Sequence, residues 1–83
     1  MSYFVYLIGN YRKFKLTTYV GYTNNIEKRI DLHNNGRGAK FTKGRKWKLI
    51  YYEKHQTKKE AILRECHIKK DRKLRNSIVN KYK

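Results

Sequence analysis

Tyr19-Val20-Gly21-Tyr22-Thr23-Asn24-Asn25-Ile26-Glu27-Lys28-Arg29-Ile30-Asp31-Leu32-His33 is a β-rich run that reaches a glycine and turns almost at once into a helix. Asn24 is a candidate N-cap, and Glu27 three residues on can reach back to it, so the helix is expected to begin near Asn25. Ile26, Arg29, Ile30 and His33 then fall at i, i+3, i+4 and i+7, with Glu27, Lys28 and Asp31 on the opposite side. Arg29 and His33 thus share the stripe that faces the core. Such groups are costly to bury without partners, and at the open end of a strand they can reach a bound anion.

Composition narrows the choice of anion. The 83 residues hold 22 Lys and Arg against 6 Asp and Glu, a formal charge of +16, with an aromatic share of 14%. This size supports one thin core, and the whole chain, 1–83, is expected to be a single domain. Strong positive charge with interleaved aromatics favours nucleic acid. A membrane surface would call for one strongly amphipathic basic helix, whereas these cations lie in loops and on several elements, so no membrane association is expected. No run of eighteen apolar residues and no signal-peptide core is present. Cys66, the lone cysteine, cannot form an internal disulfide and is expected to be a small packing residue in a cytoplasmic protein.

Outward from the central stretch, Tyr3-Phe4-Val5-Tyr6-Leu7-Ile8 is a dense β-branched and aromatic run, read as a strand buried on both faces. Gly9-Asn10 reads as its turn. A basic connection, Tyr11-Arg12-Lys13-Phe14-Lys15, leads to a second strand over residues 16–22, paired with the first as a hairpin. On the other side, Asn34-Asn35-Gly36-Arg37-Gly38 reads as a helix stop and a flexible loop. Lys40, Lys43, Arg45 and Lys46 follow, with Phe41 and Trp47 among them. Such a cluster suits phosphate contact and base stacking, or is a solvated loop. Residues 47–53 read as a third strand with Trp47, Leu49 and Tyr51 on one face.

Thr57-Lys58-Lys59-Glu60 is a capping box opening a second helix to about Lys70. Its inward stripe is Ala61, Ile62, Glu65 and Ile68, with Cys66 beside Ile62. A carboxylate among apolar positions is either a core partner for Arg29 or part of a functional site. Leu74, Ile78, Val79 and Tyr82 suggest a short third helix.

Phe4-Val5-Tyr6, Tyr19-Val20-Gly21, Arg29, His33 and Glu65 together resemble the pattern of the GIY-YIG nuclease superfamily, most closely its small stand-alone bacterial members. The likeness runs from Tyr3 to about Lys70. It implies an α+β fold, a three-stranded antiparallel sheet flanked by helices in the order ββαβα plus a short C-terminal helix. It also implies a metal-dependent site that hydrolyses phosphodiester bonds in DNA. Tyr6 and Tyr19 match the paired tyrosines, Arg29 the arginine, His33 the histidine one turn later, and Glu65 the glutamate that holds the divalent ion. Phe4 departs from the motif, standing where its first glycine would be.

The chemistry of the residues adds a constraint to this resemblance. Six acids are present, with Glu27 and Glu60 at helix starts, Asp31 on a solvent face, and Glu53 and Asp71 flanking other elements. That composition supports one ion, Mg²⁺ or Mn²⁺, on Glu65 rather than a two-metal cluster. Arg29 would clamp the scissile phosphate, and Tyr6 or Tyr19 would position or deprotonate water, Tyr6 being the first choice. A tyrosine with an ordinary pKa near about 10 needs nearby positive charge to do so at neutral pH. His33 would share that role or orient a tyrosine. Lys40, Lys43, Arg45 and Lys46 are expected to border the site and bind nucleic acid. The competing reading is a non-catalytic DNA- or RNA-binding module in which Arg29 and Glu65 are structural.

Overall fold

The computed structural model describes residues 2–81. In chain order it contains β1 (Tyr3–Arg12), β2 (Lys15–Thr23), α1 (Ile26–Asn34), β3 (Lys48–His55), α2 (Lys58–Lys70) and α3 (Arg72–Lys81). The sheet is antiparallel with strand order β2-β1-β3. The α+β architecture expected from the sequence is therefore the one formed, third helix included. Tyr82, expected on that helix, lies outside the described residues.

Because β1 is central, it meets packing on both faces, which is why its sequence is apolar without alternation. Val5, Leu7 and Val20 pack against Ala61, Ile68 and Ile78 of α2 and α3. On the other face Tyr6 and Ile8 pack with Trp47, Tyr19 and Ile30. The first hairpin is longer than its sequence suggests. Gly9 is not a turn residue: a Cβ there would lie 2.3 Å from Ile50 Cδ1, so the glycine admits a neighbouring side chain and the strand runs on. Asn10 donates its side-chain amide to Lys46 O at 2.8 Å. The reversal falls at Lys13 and Phe14, both with positive φ (51° and 63°) between the paired Arg12 and Lys15.

Three other local expectations shift for identifiable reasons. The N-cap of α1 is Asn25, whose side chain accepts from Lys28 N at 3.1 Å. The Thr23 hydroxyl accepts from Asn25 N, holding Asn25 extended and delaying the helix by one residue, so Glu27 closes no capping box. A register irregularity where Leu7 pairs Tyr51 and Ile8 pairs Leu49 breaks the alternation of β3. Trp47 therefore packs with Tyr6 and Ile8 while Tyr51 packs against the opposite core. On α2 the stripe facing the protein is Ala61, Glu65 and Ile68, leaving Ile62 and Cys66, one position round, exposed.

The Thr57 cap forms as read, accepting from Glu60 N at 3.2 Å and donating to Glu60 Oε1 at 3.0 Å. Beside it Glu53 accepts from Arg64 Nε at 2.9 and 3.0 Å, and also pairs with Tyr51 and His55. Burial alone would raise the Glu53 carboxyl, but these hydrogen bonds outweigh it and pull it down to about 2. This network ties β3 to α2. No helix among the described residues is long and apolar enough to cross a membrane.

Candidate active site

Where β2 forms the sheet edge, a cavity of about 480 Å³ opens, lined by Tyr6, Tyr19, Arg29 and Glu65 together with Lys58 and Lys69. Two strands and two helices supply these side chains. Tyr6 lies opposite Gly21 in the β1·β2 ladder. A Cβ on Gly21 would sit 2.4 Å from the Tyr6 hydroxyl, so the glycine is what lets the ring lie across β2.

His33 does not line the cavity. It is buried behind Tyr6, and its Nε2 is 2.8 Å from the Tyr6 hydroxyl. Its Nδ1 is 2.8 Å from Thr42 Oγ1, in the loop after α1. The Thr42 hydroxyl donates to Ala39 O at 3.0 Å and accepts from Ala39 N at 3.2 Å. With its one proton engaged, it can only accept from His33, which places the ring proton on Nδ1 and leaves Nε2 to accept from Tyr6. The order is thus Tyr6 O–H to His33 Nε2, then His33 Nδ1–H to Thr42. Gly38 makes room for this ring, since a Cβ there would lie 2.1 Å from His33 Nδ1.

Electrostatics give the two groups complementary states. Burial, helped by Tyr19 and Glu65 and opposed by Arg29, raises the Tyr6 pKa well above the usual tyrosine value. Burial and the Arg29 charge lower that of His33. Near neutral pH Tyr6 is a phenol and His33 a neutral acceptor. The Arg29 charge lowers Tyr6 in the direction expected from the sequence, but burial outweighs it, and the group in contact with the hydroxyl is His33.

Tyr19 stands at the mouth. Its ring stacks on Phe41 at 6.0 Å, meets His33 edge-on at 5.1 Å, and carries Lys69 Nζ 5.6 Å from its centroid. Glu65 pairs with Lys69 at 3.2 Å rather than with Arg29, so the core ion pair considered from sequence is not formed. Glu65 is the acid among the described residues lining the cavity. One half-buried carboxylate beside space for water and a phosphate oxygen suits a hard, largely hydrated cation such as Mg²⁺. Among the described residues no three His, Cys, Asp or Glu side chains gather as a ligand group.

The basic loop distributes itself otherwise than its spacing suggests. Arg45 lies over Phe41 at 5.1 Å and so adjoins the site through the Phe41 and Tyr19 rings. Lys40 and Lys43 line a separate hollow with residues 36–39, and Lys46 lines a groove beside Tyr11. The cations on the cavity wall are Arg29, Lys58 and Lys69. Sequence reasoning missed Lys58, Lys69 and Thr42. Lys69 was discoverable as the i+4 partner of Glu65. Nothing local singles out Thr42. The loop itself is anchored by Asn34, whose side chain accepts from Trp47 N at 2.6 Å and donates to Trp47 O at 3.2 Å.

Comparison with known proteins agrees with this geometry. The GIY-YIG catalytic domain family matches residues 2–83. A UPF0213 protein of Clostridium perfringens is 58% identical over 53 residues, 63% of this chain and 57% of that one, so the match spans a little over half of that relative. A UPF0213 protein of Staphylococcus aureus is 41% identical over 69 residues, covering 82% of this chain and 80% of the relative. The solution NMR structure of a UPF0213 protein from Bacillus halodurans aligns with a TM-score of 0.54 at 32% identity, covering 96% of this chain and 84% of that one. With a family match over nearly its whole length and homologues among the UPF0213 proteins, this chain belongs to the GIY-YIG family of nuclease-type catalytic domains.

Proposed function

We propose that this chain is an endonuclease that hydrolyses phosphodiester bonds in DNA, with Glu65 holding one divalent cation, Mg²⁺ or Mn²⁺. One observation carries the reading: a tyrosine hydroxyl on the cavity wall lies 2.8 Å from Nε2 of a buried histidine whose other ring nitrogen meets Thr42 Oγ1. A surface that only binds phosphate has no use for a buried proton acceptor behind a phenol.

Bound at Glu65, the cation supplies Lewis acidity and charge neutralisation at the phosphate. Arg29 orients the scissile phosphate with its planar fork, and Lys58 and Lys69 add positive charge around it. Tyr6 takes a proton from the attacking water as its own proton passes to His33 Nε2. The phenol never has to persist as a phenolate, which its raised pKa would make costly. Thr42 keeps His33 in the tautomer that can receive this proton. Tyr19 walls the approach and, with Phe41, presents aromatic faces to the substrate. Lys40, Lys43, Arg45 and Lys46 extend the phosphate-binding surface.

The test is to incubate purified protein with plasmid, single-stranded DNA and RNA, each with Mg²⁺, with Mn²⁺ and with chelator. Cleavage of DNA that requires the ion is expected. Glu65→Ala should abolish it while leaving binding intact or stronger, because the substitution removes a negative charge from a phosphate-facing surface. Arg29→Ala should lose both. A wild-type protein that binds DNA yet cleaves no substrate with either ion, paired with a Glu65→Ala variant of much lower melting temperature, would make the chain a binding module.

A further inference from the structure

The tip of the β1–β2 hairpin has no packing role, yet its sequence and backbone are unusual. Phe14 is fully exposed, Tyr11 is largely so, and both Lys13 and Phe14 adopt positive φ, which bulky side chains rarely take. A two-residue reversal of this kind ordinarily uses Asn-Gly or Asp-Gly. Neither a core contact nor turn chemistry accounts for phenylalanine there. Arg12, Lys13 and Lys15 surround it and are exposed. The first acidic residue in the chain is Glu27, so nothing on the hairpin neutralises this charge.

Position connects the tip to the candidate active site. The cavity that holds Tyr6 shares Tyr19 and Lys69 with a second hollow, which shares Thr18 and Arg75 with a third, and that one reaches Leu16. The hollows follow the free edge of β2. From Gly21, opposite Tyr6, to Lys15 is six residues of strand, about 20 Å at strand rise. A nucleic-acid strand stacked at about 3.4 Å per step covers that span in roughly six nucleotides.

We propose that the hairpin tip is a second nucleic-acid contact, in which Phe14 stacks on an unpaired base while Arg12, Lys13 and Lys15 hold the flanking phosphates. This contact rests on the reading of the chain as a nucleic-acid-cleaving domain. Unpaired bases arise in a single strand or in the arm of a branched duplex. Both present the aromatic face that Phe14 can cover, whereas an intact blunt duplex does not.

The experiment measures binding by fluorescence anisotropy without cleavage, in chelator, using a single strand, a duplex with a single-stranded arm and a blunt duplex. Phe14→Asn suits the left-handed backbone and should melt at the same temperature as wild type or higher. It should bind the first two ligands at least about fivefold more weakly, the lower end of a lost base-aromatic stack, and the blunt duplex unchanged. Phe14→Trp should bind like wild type, with its added exposed indole quenched by the first two ligands. Equal affinity of Phe14→Asn and wild type for all three, or equal loss on the blunt duplex, overturns the stacking contact and leaves the nuclease reading in place. Wild type that binds none of them overturns both. Anionic phosphatidylglycerol vesicles are the remaining arm: a tip-dependent affinity for them without one for nucleic acid would also refute the proposal.

Discussion

Replacing Thr42 by valine removes one buried hydroxyl and keeps the shape of the side chain nearly unchanged. That hydroxyl makes three hydrogen bonds, accepting from His33 Nδ1 at 2.8 Å and from Ala39 N at 3.2 Å and donating to Ala39 O at 3.0 Å. Its loss strands the Ala39 N–H and leaves His33 Nδ1 without a partner, at about 1–3 kcal/mol for each group that water does not reach. A total of about 2–6 kcal/mol follows, against roughly 4–12 kcal/mol for a domain of this size, lowering the melting temperature by on the order of 10 °C or more. The functional effect is of a different kind. Without an acceptor at Nδ1 the ring proton moves to Nε2, which then donates to Tyr6 instead of receiving from it. Cleavage should fall by about 10²–10⁴-fold, the usual worth of general base assistance. Nitrogen-15 NMR of the His33 ring reads the tautomer directly, with Nδ1–H expected in wild type and Nε2–H in Thr42→Val. Thr42→Ser retains the hydroxyl and should restore both tautomer and activity. An Nε2–H ring in wild type, or an unaltered ring in Thr42→Val, would refute the relay.

Gly21→Ala should push the Tyr6 ring away from His33, since its Cβ would lie 2.4 Å from the hydroxyl. It is expected to cost about 1–3 kcal/mol by overpacking and to abolish cleavage, as measured by thermal denaturation and a plasmid assay. Glu53 governs acid stability. Its carboxyl is held at about 2, below the ordinary 4.5, so between those values the unfolded chain binds the extra proton. The stabilisation is complete above about pH 4.5 and is lost as pH falls toward 2; it amounts to about 3 kcal/mol. Glu53→Gln should lower the melting temperature at pH 7, with the gap from wild type closing toward pH 2. Lys58→Ala combined with Lys69→Ala should flatten the dependence of log affinity on log salt by roughly two, one released counterion for each phosphate contact. Reversing Lys40 and Lys43 to glutamate should weaken binding regardless of sequence. An unaltered salt slope in that variant would remove this loop from the nucleic-acid path.

Elements whose signals are local are legible along the chain itself. The Thr57 cap is a contact across three residues, β1 announces its two-sided burial by its unbroken apolar run, and the stripe of Ile26, Arg29, Ile30 and His33 follows from helical periodicity. The boundaries that moved did so where a neighbour intervened. Thr23 displaced the α1 cap, Ile50 filled the space at Gly9, and a register shift in β3 sent Trp47 and Tyr51 to opposite sides.

By itself the sequence determined the fold class, the order of the elements and the identities of Tyr6, Tyr19, Arg29, His33 and Glu65 as residues to follow. Propensity, periodicity and motif spacing are properties of the chain read along its length. Tertiary structure decided what those side chains do to one another. It set His33 behind Tyr6 rather than in the cavity, gave it Thr42 as an acceptor, and paired Glu65 with Lys69 in place of Arg29. Tyr6 and His33 are 27 residues apart, and whether two such groups touch depends on how β1 and α1 pack. The direction of their pKa values follows from that packing, because burial is fixed only when the chain closes over them.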